Sequence, residues 1–222
     1  MDMAKVLPLK PLFVLLYGFP GSGKTFFARQ LCEQLAATHV QSDRIRAELF
    51  ENPTYSKQEN HVVTSLMNYM TGEFLNAGVS VVYDVNALRI SQRRALRNMA
   101  AKSGAETVLV WQQIDPESAL ARVSKRDRRK TDDHYAQEID RATFEQLASG
   151  MQNPDATERY LVISGKHVFG TQKSAFFRHL QERALIDLDP NATYIGKPGL
   201  VNLIPNLRAG RVDLSRRNIT IR

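Results

Sequence analysis

The chain has 222 residues, a formal net charge of +7, 43% hydrophobic residues and 24% charged residues. That fits one globular domain, or one domain with an appendage, able to bury a core without covalent staples. It excludes a wholly disordered chain, a collagen-like fibre and a disulfide miniprotein. With Cys32 as the single cysteine, neither an internal disulfide nor a thiolate zinc site can form, which suits a reducing compartment. The histidines, His39, His61, His134, His167 and His179, have no ligand spacing, so no structural metal is expected.

The charge is uneven. Six of the nine residues from Arg122 to Lys130 are basic and one is acidic, and residues 187–222 hold six basic against three acidic residues. A positive excess of this kind suits a polyanion: nucleotide phosphate, nucleic acid or an acidic surface.

In chain order, Lys5 and Lys10 precede a short apolar run, as in a signal peptide. The run is too short to span a bilayer and no small-residue cleavage site follows, so a cytoplasmic protein with no membrane partner is expected. Leu12–Tyr17 instead reads as a buried strand of the parallel-sheet kind. A helix is predicted over Thr25–Leu35, a short strand over His39–Gln41 and a helix over Asp43–Phe50, broken by Asn52-Pro53. Ser56–Leu75 reads as a long amphipathic helix with Val62, Leu66, Met70 and Phe74 on one face, ended by Gly78. Then follow a strand over Val79–Val85, a helix over Ser91–Lys102 closed by Gly104, and a strand over Glu106–Ile114. Pro116 opens a helix that runs to about Lys125, and a further helix is predicted from about His134 to Ser149. Tyr160–Ser164 is a short strand and Gln172–Ala184 a last helix. Apolar strands alternating with helices predict an α/β fold, a parallel sheet covered on both faces. From Ile186 the helical periodicity stops and prolines and glycines recur, so residues 1–186 are expected to form the domain and 187–222 an irregular extension.

Between the first strand and first helix stands Gly18-Phe19-Pro20-Gly21-Ser22-Gly23-Lys24-Thr25, a complete G-x-x-x-x-G-K-[ST] phosphate loop. Glycines let backbone N–H groups converge on phosphate oxygens, and the following helix adds its positive end. Lys24 is expected on the β- and γ-phosphates and Thr25 on Mg²⁺. Asp84 ends an apolar strand and is the candidate second metal residue, the other reading being a strand-end Asp that caps a turn. No glutamate adjoins Asp84 and no N-K-x-D occurs, which argues against motor ATPases and GTPase switches.

Ser42-Asp43-Arg44-Ile45-Arg46 follows the second strand, where a parallel sheet sets it at the carboxyl end, across the crevice from the phosphates. Asp43 can there take a proton from an attacking hydroxyl, and Arg46, on the same helix face, can grip an acceptor phosphate or orient Asp43. The alternative is a helix-capping Asp43 beside a surface arginine. The Arg122–Lys130 stretch reads in three ways: a flap over the γ-phosphate, a solvated helix end favoured by the dipole, or a nucleic-acid contact.

Together, G-F-P-G-S-G-K-T, S-D-x-I-R, V-V-Y-D-V-N and the R-x-x-x-R of Arg122 and Arg126 resemble the small ATP-binding P-loop kinases that include polynucleotide 5′-hydroxyl kinases and zeta-toxin-like kinases. The resemblance covers about residues 12–183 and includes Pro154 and the Val162-Ile163-Ser164-Gly165 strand end. It implies a three-layer P-loop NTPase fold with a five-stranded parallel sheet of order 2-3-1-4-5 and a lid segment. It implies nucleotide contacts from Gly18, Pro20, Gly21, Ser22, Gly23, Lys24, Thr25 and Phe26, with Arg122 and Gly165 beside the adenine and Arg126 on the phosphates. Asp43 matches the general base and Arg46 the acceptor-contacting arginine. Asp84 and Asn86 match a D-x-N near metal and acceptor. The expected activity is Mg-ATP-dependent phosphate transfer to a hydroxyl, on a small molecule or a nucleic-acid 5′ end. A nucleotide-dependent binding protein whose basic tail holds a partner is the alternative.

Overall fold

The computed structural model describes residues 5–85, 89–127, 129 and 134–187. Five strands, β1 (Leu12–Tyr17), β2 (Ala37–Gln41), β3 (Ser80–Asp84), β4 (Glu106–Gln113) and β5 (Tyr160–Ser164), form one sheet of order β2-β3-β1-β4-β5. All four pairings are parallel. Among the described residues the helices are α1 (Lys24–Gln34), α2 (Ser42–Leu49), α3 (Lys57–Asn76), α4 (Ile90–Lys102), α5 (Pro116–Ser124), α6 (Arg141–Ser149) and α7 (Phe169–Glu182). The expected α/β class and strand order both hold. Every residue of β1 is buried, as an unbroken apolar run in the middle of a covered parallel sheet must be.

Alternate residues of β1 serve opposite layers. Phe13, Leu15 and Tyr17 join Val81 and Tyr83 of β3 in a core with Val63, Met67 and Leu75 of α3 and Leu96 and Ala100 of α4. On the opposite face α1 meets α7, with the Phe27 and Phe176 rings 5.9 Å apart.

Three expectations need correction. The buried stripe of α3 is Glu59, Val63, Met67, Thr71 and Leu75, one residue on from the expected one, and Val62 is exposed. Two adjacent apolar stripes run along this helix. The helix turns so that the stripe interrupted by Thr71 faces the core, with Leu66, Met70 and Phe74 half-buried beside it. The helix expected from His134 begins only at Arg141. The Asp140 carboxylate accepts from Thr143 N at 2.8 Å, which fixes the start. The last helix begins at Phe169, earlier than Gln172, after Val168 in extended geometry. Asp187 ends the described residues, so the expected extension beyond it lies outside them. Ahead of it, Leu9 N donates to Leu185 O at 2.9 Å, tying the N-terminal segment to the end of α7.

One buried ion pair locks the face of the sheet that α4 covers. Arg93 of α4 is fully buried and grips Glu158, Nε to Oε1 at 3.0 Å and Nη2 to Oε2 at 2.6 Å. Its guanidinium lies 4.6 Å from the Tyr17 ring centroid. Glu158 belongs to the 3-10 turn that leads into β5, so α4 and β5 are tied beneath the end of β1. Removing the carboxylate alone strands a buried cation. Glu158→Ala is therefore expected to lower unfolding free energy by about 3–5 kcal/mol, read as a shift of the urea midpoint at constant slope.

Candidate active site

Beta1 sits between β3 and β4, so the strand order reverses beside it and opens a crevice at the carboxyl ends of the strands. The phosphate loop fills the near side. Gly21 (φ 82°) and Gly23 (φ 98°) hold left-handed backbone. A Cβ on Gly21 would stand 2.4 Å from Ala119 O of α5, and one on Gly18 would stand 2.5 Å from Gln112 O of β4. The loop is thus wedged between β4 and α5 with room only for glycine. Ser22 is buried and its N–H closes the loop on Phe19 O at 3.0 Å.

Lys24 opens α1 and is almost fully buried, its Nζ donating to Gly18 O and Phe19 O at 2.9 Å each. Burial pulls its pKa down to about 8, against the pull of the Asp84 carboxylate. Thr25 Oγ1 donates to Asp84 Oδ2 at 2.7 Å, and His39 Nε2 lies 3.3 Å from the same oxygen. Burial would raise the Asp84 pKa, but His39, Lys24 and Thr25 together hold it below the usual carboxylate value. The hydroxyl and carboxylate are hard oxygen donors. Among the described residues no group of three His, Cys, Asp or Glu side chains gathers into a metal cage. Such a donor set fits Mg²⁺, which keeps waters and takes phosphate oxygens rather than an all-protein cage.

Asp43 lies at the start of α2, and burial, reinforced by the Asp84 charge, pushes its pKa up to about 6. It borders a small recess with Pro20, Lys24, Thr25, Asp84 and Arg126. It also borders two larger cavities. One, of about 560 Å³, runs over Gly21, Gly23, Lys24, Thr25 and Phe26 to Arg122, Gly165 and Gln172. The other, of about 860 Å³, opens between α3, α4 and α6.

Arg122 Nη1 donates to Gly165 O at 2.9 Å, so the two residues expected beside the adenine are joined. A Cβ on Gly165 would meet Ser22 O at 2.5 Å, which packs the loop after β5 onto the phosphate loop. Arg126 Nη1 donates to Gln137 O at 2.9 Å and borders both the recess and the smaller cavity. Phe26 is partly exposed at that cavity, its ring edge-on to Phe169. Arg46 borders the larger cavity, but its guanidinium is held: Nη1 to Glu59 Oε2 at 3.1 Å, Nη2 to Asn60 Oδ1 at 2.5 Å, and 4.4 Å from the Tyr55 ring centroid. Asn86 lies outside the described residues.

The sequence reading missed His39, Gln137 and Gln172. His39 reads as one scattered histidine until β2 is set beside β3, where Gln41 pairs with Asp84 and brings the end of β2 to the metal side. Gln137 and Gln172 carry no motif.

The family model described as an AAA domain matches residues 13–154. The chain belongs to that family, AAA_33, of P-loop kinase-like proteins. A search of curated proteins found no match. Among solved structures, an unliganded sugar kinase from Janibacter sp. HTCC2649 superposes with a TM-score of 0.58 at 16% identity, over 79% of this chain and 95% of that one. The Mycobacterium tuberculosis APS kinase CysC, in complex with AMPPNP and APS, gives 0.58 at 17% identity, over 78% and 98%. The Pnkp1/Rnl/Hen1 RNA repair complex gives 0.55 at 19% identity, over 64% of this chain and 44% of that one. At these identities the likeness is one of fold. Among the described residues of this family member no helix is long and apolar enough to cross a membrane.

The wedged loop yields a test. Gly21→Ala is expected to destabilise the fold by about 1–3 kcal/mol and to abolish nucleotide binding in calorimetry. Gly72→Ala, in α3 with nothing within 4 Å of the new methyl, is expected to leave binding unchanged and to gain about 0.5–1 kcal/mol in the same urea titration.

Proposed function

We propose that the protein is a Mg-ATP-dependent kinase that transfers the γ-phosphate to a hydroxyl, on a small molecule or a nucleic-acid 5′ end. The observation that carries this reading is that Asp43 borders both of these cavities. One cavity begins at the phosphate loop and suits ATP. The other has no phosphate loop and suits an acceptor. A carboxylate at their junction stands where a proton must be lost when an alcohol oxygen attacks phosphorus. The kinases among the solved structures of this fold support the reaction class.

The chain's own groups account for the step. Lys24 exchanges its two carbonyl partners, Gly18 O and Phe19 O, for phosphate oxygens. Arg126 and the α1 N-terminus hold the transferring group and the charge that develops on it. Thr25 and Asp84 are the residues that would hold Mg²⁺, which when bound neutralises charge on the β- and γ-phosphates. The acceptor oxygen forms a bond to the γ-phosphorus as the bond from that phosphorus to the β-bridging oxygen breaks. The acceptor's proton passes to the Asp43 carboxylate and ADP leaves. Arg122, fixed on Gly165 O, closes the base end of the nucleotide cavity. We place the protein in the cytoplasm. Its one cysteine is partly buried with the thiol pKa pushed up to about 12, which suits a thiol that stays reduced and unreactive.

Labelled ATP offered with nucleosides, 5′-hydroxyl oligonucleotides, sugars and aminoglycosides is expected to label one class of acceptor. Asp43→Asn is expected to cut that transfer by roughly 10²–10⁴-fold and to leave ATP affinity in place. Transfer at the native rate by this variant would remove Asp43 from the mechanism. The pH dependence follows from the two shifted groups. A base works only when ionised, so kcat/KM should fall as pH drops through about 6, the value for Asp43. Lys24 must carry its charge to meet phosphate, so kcat/KM should fall again as pH rises through about 8. A stopped-assay profile flat from pH 5 to 9 would contradict both assignments.

A further inference from the structure

The acceptor cavity has a composition of its own, and it narrows the substrate. We infer that the acceptor is an anionic hydroxy compound of nucleotide size: a hydroxyl at Asp43, a ring-bearing body along the cavity and an anionic group at its rim. This deepens the kinase reading and rests on it.

Size comes first. At about 860 Å³ the cavity lies toward the upper end of the roughly 300–1,000 Å³ typical of small-molecule sites. A monosaccharide held at Asp43 would leave most of it to water. The walls come second. Val63 from α3, Leu96 and Met99 from α4 and Leu147 from α6 make an apolar lining. Such a lining suits the flat or apolar body of a ring rather than a polyol hydroxylated all round. Amide side chains punctuate it: Asn68, Gln92 and Gln146. The Tyr83 hydroxyl donates to Asn68 Oδ1 at 2.7 Å, which fixes that amide and leaves its N–H donors to meet an acceptor atom. Amides offer donors and acceptors side by side, the chemistry that reads the edge of a heterocycle.

Charge decides the third attribute. Among the described residues of the lining, Asp43 is the one carboxylate, against the cations Arg46, Lys57 and Arg89. Arg46 is neutralised by Glu59 and contributes little net field. Lys57 and Arg89 are exposed and lie on α3 and just ahead of α4, the two helices that flank the cavity. The excess at the rim is positive, so a cationic acceptor is disfavoured and an anionic one is drawn in.

Four acceptors separate size from charge: a nucleoside 3′-monophosphate, the matching nucleoside, gluconate and kanamycin. With the full chain and labelled ATP, the nucleoside monophosphate is expected to exceed the neutral nucleoside in kcat/KM by roughly tenfold, the scale of one charge-assisted contact. The double variant Lys57→Ala, Arg89→Ala should collapse that ratio toward one through KM. Higher kcat/KM for gluconate or kanamycin, equal use of nucleoside and nucleotide, or a double variant that lowers kcat alone would overturn the inference. Calorimetry of the same four compounds, with a non-hydrolysable ATP analogue present, separates this inference from the kinase reading. The expected ranking in binding without any transfer would remove the kinase and keep the acceptor class. Equal binding of all four, or binding of none, would remove the acceptor class.

Discussion

The site depends on the parallel pairing of β1 with β3. Phe13, Val14 and Leu15 pair with Val81, Val82 and Tyr83, which sets the ends of the two strands side by side. The chain leaves β1 into the phosphate loop and leaves β3 at Asp84. Thr25, in the first turn after the loop, therefore meets Asp84 with no further device. The same pairing continues outward: β2 lies on β3 in register, so Gln41 stands beside Asp84 and the next two residues bring Asp43 to the crevice. Three separate stretches of chain reach one point because three strands are parallel and end level. Burial of β1 on both faces keeps it at the centre of the sheet, since at an edge its unbroken apolar run would meet water.

Once gathered, these groups set one another's charge. Asp43 and Asp84 are two carboxylates in one buried recess, and they titrate apart. Asp84 has His39, Thr25 and Lys24 around it and stays ionised. Asp43 has burial and the Asp84 charge against it, with Arg126, Arg46 and Lys24 only partly offsetting them. One is therefore a permanent anion suited to a metal, and the other is poised to gain and lose a proton near neutral pH. The division of labour arises from placement alone, because the two side chains are chemically the same.

The fold and the loop were legible because both are written locally. Short apolar runs at Leu12–Tyr17 and Val81–Tyr83, rich in β-branched and aromatic residues, read as covered strands, and the glycine spacing of residues 18–25 states its own geometry. The start of α6 was misread because an apolar and polar mixture over residues 134–140 fits a helix until Asp140 is seen to cap one. The rotation of α3 was misread because two neighbouring stripes are apolar, and only packing against Tyr83 and the rest of the core chooses between them. His39 and Gln137 were invisible for a different reason. Each acts through a partner distant in sequence, Asp84 for the first and Arg126 for the second, and no spacing rule connects them.

Four of the arginines are held in two ways. Arg46 and Arg93 are buried, and each is matched by a carboxylate, Glu59 or Glu158. They contribute shape: one braces the larger cavity and the other ties α4 to β5. Arg122 instead donates to a backbone carbonyl, Gly165 O, which is a dipole rather than a counter-charge, and Arg126 donates to Gln137 O. A guanidinium held by a carbonyl keeps its full positive charge while losing its freedom to wander. At the mouth of a cavity floored by a phosphate loop, that is the arrangement that attracts a polyphosphate without needing to reorganise around it. Of the basic stretch, Arg122 and Arg126 thus suit a fixed wall of that cavity, while Arg129 is exposed and pairs with Asp127.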